Sequence, residues 1–173
     1  GRACAIHAGR QATMIQSFGP EARGSACSAT LVVSDGEVLY PYIRRPDIFV
    51  VMSAEGYEKY GGELKEDGTL VFEQDLVHPT TVEGQRYCGV PSTRIAESLG
   101  RTIVQNIVMV GFFTGVTELV PDEAMRDAVR GSVPAGTEDL NLEAFEKGLE
   151  YARQSVEQPA LRVTRPAMEE VVP

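Results

Sequence analysis

The residues able to do chemistry are few and scattered. A Ser–His–Asp or Cys–His device needs a histidine held by an orienting acid. His7 lies among the first residues and His78 precedes Pro79 in a loop-like stretch, and neither sits in such a motif. Cys4, Cys27 and Cys88 are odd in number, widely separated and form no Cys-x-x-Cys pair. With only two histidines beside them, no zinc or iron–sulfur site is expected within the chain. Acids are abundant, but groups such as Glu63, Glu66 and Asp67 fall on turns and helical faces, where solvation explains them. Gly61-Gly62 follows a predicted helix instead of opening one, so it lacks the geometry that binds a phosphate. No catalytic residue and no metal ligand is predicted.

One segment stands apart, Gln16-Ser17-Phe18-Gly19-Pro20-Glu21-Ala22-Arg23-Gly24-Ser25. Two glycines and a proline fix a loop leaving a predicted strand, and it carries one Glu, one Arg and two serines. Open α/β sheets place ligand contacts at such strand ends. A ligand or interface role therefore stands beside that of a plain structured loop.

The elements that must position this loop alternate between strand and helix. Ala12 to Phe18 and Cys27 to Val33 read as strands. Ser34-Asp35-Gly36-Glu37 reads as a hairpin turn into a further strand, Val38-Leu39-Tyr40. Ile48 to Met52 is a continuous apolar run, expected of a strand buried on both faces of a parallel sheet. Ser53 offers an N-cap for a helix through Tyr60. Leu70-Val71-Phe72 and Tyr87 to Val90 read as further strands. Ser92 is the expected cap of a helix through Leu99, closed by Gly100. Ile103 to Leu119 is an apolar helix whose Gly111 and Gly115 invite a close backbone neighbour. Pro121-Asp122-Glu123 opens another helix, and Asn141 is the expected cap of a last one through Val156. Gln158 to Pro173, with three prolines and no period, reads as a flexible tail. The pattern is that of an α/β domain with a largely parallel sheet.

Composition narrows the partners. The 173 residues carry 25 acidic against 16 basic side chains, a net charge of −9, with no basic block. No nucleic-acid partner is expected. No run of about 18 apolar residues is present, so no membrane partner is expected either. Dispersed cysteines and the absence of a signal-type pattern set the expectation of a reducing cytoplasm. Arginine outnumbers lysine thirteen to three, which favours bidentate contacts with carboxylate or phosphate.

The segment Ser17 to Ser25 closely resembles the signature of the gamma subunit, or gamma domain, of 2-oxoacid:ferredoxin oxidoreductases. Four further blocks resemble the same family in the same order. They are Pro46 to Ser53 with Tyr57-Glu58-Lys59-Tyr60, Val90 to Ala96, Asn106 to Gly111, and Asn141 to Gly148. The blocks cover residues 1–157, which the resemblance marks as the gamma domain, and leave 158–173 as the tail.

The resemblance implies a Rossmann-like, three-layer α/β domain. The family oxidatively decarboxylates a 2-oxo acid on thiamine diphosphate, passes electrons through iron–sulfur clusters to ferredoxin, and delivers the acyl group to coenzyme A. The resemblance places thiamine diphosphate and the clusters on the alpha and beta catalytic subunits, with the gamma component packed on them at the coenzyme A side. This chain is then expected to hold no cofactor alone and to reach ferredoxin only through other subunits. Carried over residue by residue, Gly19, Pro20, Glu21, Arg23, Gly24 and Ser25 would lie near coenzyme A, Arg23 offering charge-assisted bonds to a phosphate or a partner carboxylate. The family opens with a strand, a Gly-x-Gly-Gly-Gln-Gly turn and a helix, and none of these precedes Gly1. The sequence is accordingly expected to be N-terminally truncated, lacking the first strand and glycine-rich turn, with Gly1 to Ala8 as the last turns of that helix. Tyr40-Pro41, Met52-Ser53 and the Tyr-Glu-Lys-Tyr helix lean to the 2-oxoglutarate branch over the pyruvate, 2-oxoisovalerate and indolepyruvate branches. A free-standing Rossmann-type binding domain and a purely docking subunit, with the helix 103–119 as its contact surface, are the alternatives.

Overall fold

Val71, in the middle of the run Thr69–Glu73, is 0% exposed and its neighbour Leu70 is 1% exposed. Side chains alternate across a strand, so burial of both means that this strand is covered on both faces. In a computed structural model, which describes residues 1–17, 27–40 and 42–157, it is the middle strand of a parallel trio. The trio is β3 (Ile48–Val51), β4 (Thr69–Glu73) and β5 (Arg86–Val90), in register Val50↔Val71 and Val71↔Cys88. Strands β1 (Gln11–Ser17) and β2 (Ser28–Ser34) form a separate antiparallel pair with Ser17 opposite Ser28 and Gln11 opposite Ser34.

Helices close both faces of the trio. On one side Val71 and Val90 pack with α2 (Ser92–Ser98), α3 (Gln105–Thr117) and α5 (Glu138–Glu157) through Ala96, Val108, Phe112 and Ala144. On the other side Leu70 and Val51 meet Leu64, Val77 and Tyr57 of α1 (Ala54–Tyr60). These are the three layers that the resemblance implies. The remaining helix, α4 (Asp122–Arg130), packs Ala124 and Ala128 against Ala3 and Cys4 of a wide helical turn and against Ala12 and Val33 of the β1–β2 pair. That turn is a π-turn, Ala8 N–H donating to the Ala3 carbonyl at 2.9 Å.

Helix α3 is core. Val108, Met109, Phe112 and Val116 are buried, and a methyl group at Gly111 would stand 2.0 Å from the Phe145 carbonyl oxygen of α5. Gly148 of α5 meets the Val108 carbonyl in the same way, so the two backbones touch where neither has a side chain. The glycines thus admit a close neighbour, and that neighbour is α5 of the same chain, not a partner.

Four local expectations are corrected. First, Val38 to Tyr40 forms no strand, because β2 pairs with β1 across residues 18–26 instead of with the residues after Gly36. The Gly36 amide donates to Ser34 Oγ at 3.1 Å, the chain bends, and Leu39 and Tyr40 are left 84% and 69% exposed. Second, the strand covered on both faces is β4, whereas β3 has Val50 40% exposed, having a strand neighbour on only one side among the described residues. Third, Ser92 is the first helical residue of α2 and its hydroxyl donates to Glu73, so the cap comes from β4. Fourth, α5 begins at Glu138, and Asn141 lies inside it, its Nδ2 donating back to the Thr137 carbonyl at 2.8 Å. Ser53 and Gly100 do act as expected: Ser53 Oγ accepts from the Gly56 amide at 3.1 Å, and Gly100 has φ +78°, the left-handed turn that ends α2.

Candidate functional site

Gly19, Pro20, Glu21, Arg23, Gly24 and Ser25 lie outside the described residues, as does the 158–173 tail. What the structure does fix is the frame of the first segment. Ser17 and Ser28 are register partners, so the first strand ends and the second begins at the same end of one antiparallel pair. Arg10 Nε and Asp35 form a 2.8 Å ion pair where the strands meet at the opposite end.

The Ser28 side chain first, and Lys59 second, hold the Tyr60 phenol below the ordinary tyrosine value; burial and Glu63 work the other way. The Lys59 ammonium stands 5.0 Å from the Tyr60 ring centroid, within cation–π range. Tyr57-Glu58-Lys59-Tyr60 was legible as a family block.

A second polar cluster sits at the carboxyl ends of β4 and β5, the edge where open parallel sheets hold ligands. Glu73 is 1% exposed. Its carboxylate accepts from the Ser92 hydroxyl, from the Thr93 amide at 3.0 Å and from the Asp75 amide at 3.2 Å. Thr93 Oγ1 is 3.0 Å from Gln105 Oε1 at the start of α3. Asp75 and Arg94 add a bidentate exposed pair, 2.7 and 3.0 Å. With both carboxylate oxygens already accepting, Glu73 is committed to capping α2 and is no general base. Nothing in the sequence beyond an acid at a strand end marked it.

The remaining chemistry-bearing groups stay apart. His78 is exposed in the 74–85 loop, and His7 lies in the helical turn near the start of the chain, on a different element. Cys4 is buried, Cys27 exposed and Cys88 half-buried, each in a different part of the fold. Burial pushes the Cys88 thiol up, against a smaller opposite pull from Arg86, so it is a packing residue rather than a nucleophile. Among the described residues no three His, Cys, Asp or Glu side chains are placed to hold a metal, and no helix is long and apolar enough to cross a membrane. A groove of about 920 Å³ runs between the β1–β2 pair and helices α3, α4 and α5, with Ile6, Met14, Leu31 and Ile103 on its walls. Among the described residues its lining contains no histidine, cysteine or carboxylate, and Arg2 and Arg101 are its charged side chains.

Three comparisons bear on this arrangement. The family model for pyruvate ferredoxin/flavodoxin oxidoreductase matches residues 1–151. The 2-oxoglutarate synthase subunit KorC of Methanocaldococcus jannaschii is 42% identical over 158 residues, covering 89% of this chain and 84% of that protein. The ketoisovalerate oxidoreductase subunit VorA of Methanothermobacter marburgensis is 29% identical over 153 residues, 86% of this chain and 32% of that protein. Among solved structures, the gamma subunit of a keto/oxoacid ferredoxin oxidoreductase from Geobacter sulfurreducens PCA superposes with a TM-score of 0.74 at 34% identity, covering 88% of this chain and 86% of that one.

Proposed function

The chain belongs to the pyruvate ferredoxin/flavodoxin oxidoreductase family, and from that premise we propose that it is the gamma subunit of a 2-oxoglutarate:ferredoxin oxidoreductase. In that role it supports coenzyme A-dependent oxidative decarboxylation of 2-oxoglutarate to succinyl-CoA, with electrons passed to ferredoxin. The observation that carries the substrate is 41–42% identity to three 2-oxoglutarate synthase subunits against 29–31% to ketoisovalerate and pyruvate ones.

The chain's own chemistry supports a subunit that completes a site built elsewhere. The described residues bring together no nucleophile with a base, and the three cysteines are too dispersed for an iron–sulfur cluster. An iron–sulfur cluster therefore finds no ligand set among the described residues. The alpha and beta subunits are the partners that would supply the clusters and thiamine diphosphate, in a cytoplasmic complex. Residues 1–157 form the working domain and 158–173 a tail. The segment between β1 and β2 is the coenzyme A contact, with Gly19, Pro20, Gly24 and Ser25 shaping it, and Glu21 and Arg23 charging it. An arginine is suited to this because its fork makes two charge-assisted bonds to one phosphate.

Replacing Arg23 by Ala in the assembled complex tests the assignment. A lost charge-assisted contact costs about 1.5–3 kcal/mol, so KM for coenzyme A should rise roughly ten- to a hundredfold with assembly intact. Loss of assembly instead would make the segment a docking element, and an unchanged KM would remove it from the site.

A further inference from the structure

We infer that Leu39, Tyr40, Tyr42 and Arg44, after the end of β2, form the centre of the surface by which this chain docks on a catalytic subunit, against an apolar pocket rimmed by carboxylates. This rests on the reading of the chain as one subunit of a multi-subunit oxidoreductase, and it uses no residue of the 18–26 segment.

Large apolar side chains scattered singly over a surface mean nothing, but a cluster of them does. Among the described residues nine are exposed, and three of the nine fall within four positions: Leu39 at 84%, Tyr40 at 69% and Tyr42 at 63%. The two tyrosine rings already rest on each other, centroids 5.4 Å apart and tilted by 55°, so little side-chain freedom is left to lose when a partner covers them. No backbone hydrogen bond ties 37–40 or 42–45 to the rest of the described fold, and nothing in the chain's own packing calls for these side chains.

Charge and composition say what covers them. In a chain of net charge −9, the stretch between Glu37 and Asp47 holds two arginines and no acid. Arg45 stands 3.6 Å from Glu66, whereas Arg44 is exposed and pairs with no carboxylate among the described residues. Tyrosine and arginine are the side chains that dominate protein–protein contacts, a desolvated ring beside a fork that grips a carboxylate. The matched region is only 32% of the VorA relative, where it is covalently joined to a much larger remainder. A separate chain needs a surface to do the work of that linkage. β2 runs from Ser28 to Ser34, so this stretch leaves the β1–β2 pair at the end opposite to Ser17 and Ser28. Docking and the proposed coenzyme A contact are therefore separable.

The test is titration of this chain into its catalytic subunits, followed by retention on a tagged partner and by recovered activity. Tyr40→Ser with Tyr42→Ser should raise the half-saturating concentration by about tenfold or more. Arg44→Glu should raise it about three- to tenfold and Arg44→Lys less, with the Arg44→Glu effect shrinking as salt is added. At saturation each variant should keep KM for coenzyme A within about twofold of wild type, and its denaturation midpoint should not move, the altered side chains being exposed already. Should the double tyrosine variant not fold, Arg44→Glu and Leu39→Ser decide the matter alone. Half-saturation unchanged in the variants that fold overturns the inference. A wild-type chain that dimerises by itself, and whose dimer these variants dissolve without altering retention, gives the surface to a second copy and overturns it too. A wild-type chain that the catalytic subunits do not retain at all removes the subunit reading itself.

Discussion

The two sheets of this molecule are built on different terms. The parallel trio β3–β5 is sealed by α3 and α5 on one face and by α1 with its following loop on the other, with Leu70, Val71 and Val90 all but excluded from solvent. The antiparallel pair β1–β2 contains no residue that is fully buried, and Met14 at its centre is 54% exposed. Hydrophobic burial at about 25 cal/mol per Å² is therefore concentrated in the trio and its helices. The pair is held by strand pairing, by the Arg10–Asp35 ion pair and by a modest patch against α4. The trio is scaffold; the pair presents the segment proposed to work.

Breaking the scaffold should cost most. Gly111→Val would drive a branched side chain into the α5 backbone, where even a methyl group meets an oxygen at 2.0 Å. Overpacking of that kind destabilises by about 3 kcal/mol or more, or prevents folding, and a fall in the denaturation midpoint or loss of soluble protein would register it. Glu73→Ala comes next. It strands the Ser92 hydroxyl and the Thr93 amide in a dry site, for an expected loss of about 2–3 kcal/mol in chemical denaturation. Glu73→Gln, which keeps one carbonyl acceptor, should lose less. An equal loss for both would refute the capping role.

Substitutions outside the packed layers should be far milder. Leu39→Ser removes a side chain already 84% exposed and should change stability by under about 0.5 kcal/mol. The thiols sharpen the same contrast. Exposed Cys27 should react with a thiol reagent first. Because burial raises the Cys88 pKa, its thiolate forms only at higher pH, so Cys88 labelling should lag and steepen toward alkaline pH in the folded protein. Labelling of Cys88 as fast as Cys27 at neutral pH would mean that the trio opens more readily than its packing implies.

The division also explains what the sequence revealed. Helix ends with local signals, such as Ser53 with Gly56 and Gly100 with its left-handed backbone, were legible because both partners lie within a few residues. Burial of β4 was underestimated because its apolar run is only three residues long, and cover on both faces is set by neighbours distant in sequence. The turn at Asp35-Gly36 misled for the same reason, its local hairpin chemistry yielding to the pairing of β2 with β1. Glu73 as a helix cap is a contact across 20 positions that no spacing rule encodes. The decapeptide was legible by resemblance to a family, and its surroundings came from the fold.

The most direct measurement is to co-express this subunit with its catalytic partners and follow coenzyme A-dependent viologen reduction. 2-Oxoglutarate, pyruvate, 2-oxoisovalerate and indolepyruvate would be supplied in parallel. The expected result is a complex that contains this chain and reduces viologen with 2-oxoglutarate in strong preference to the other three. A stable complex silent on all four acids, or one equally active when this chain is omitted, would contradict the assignment.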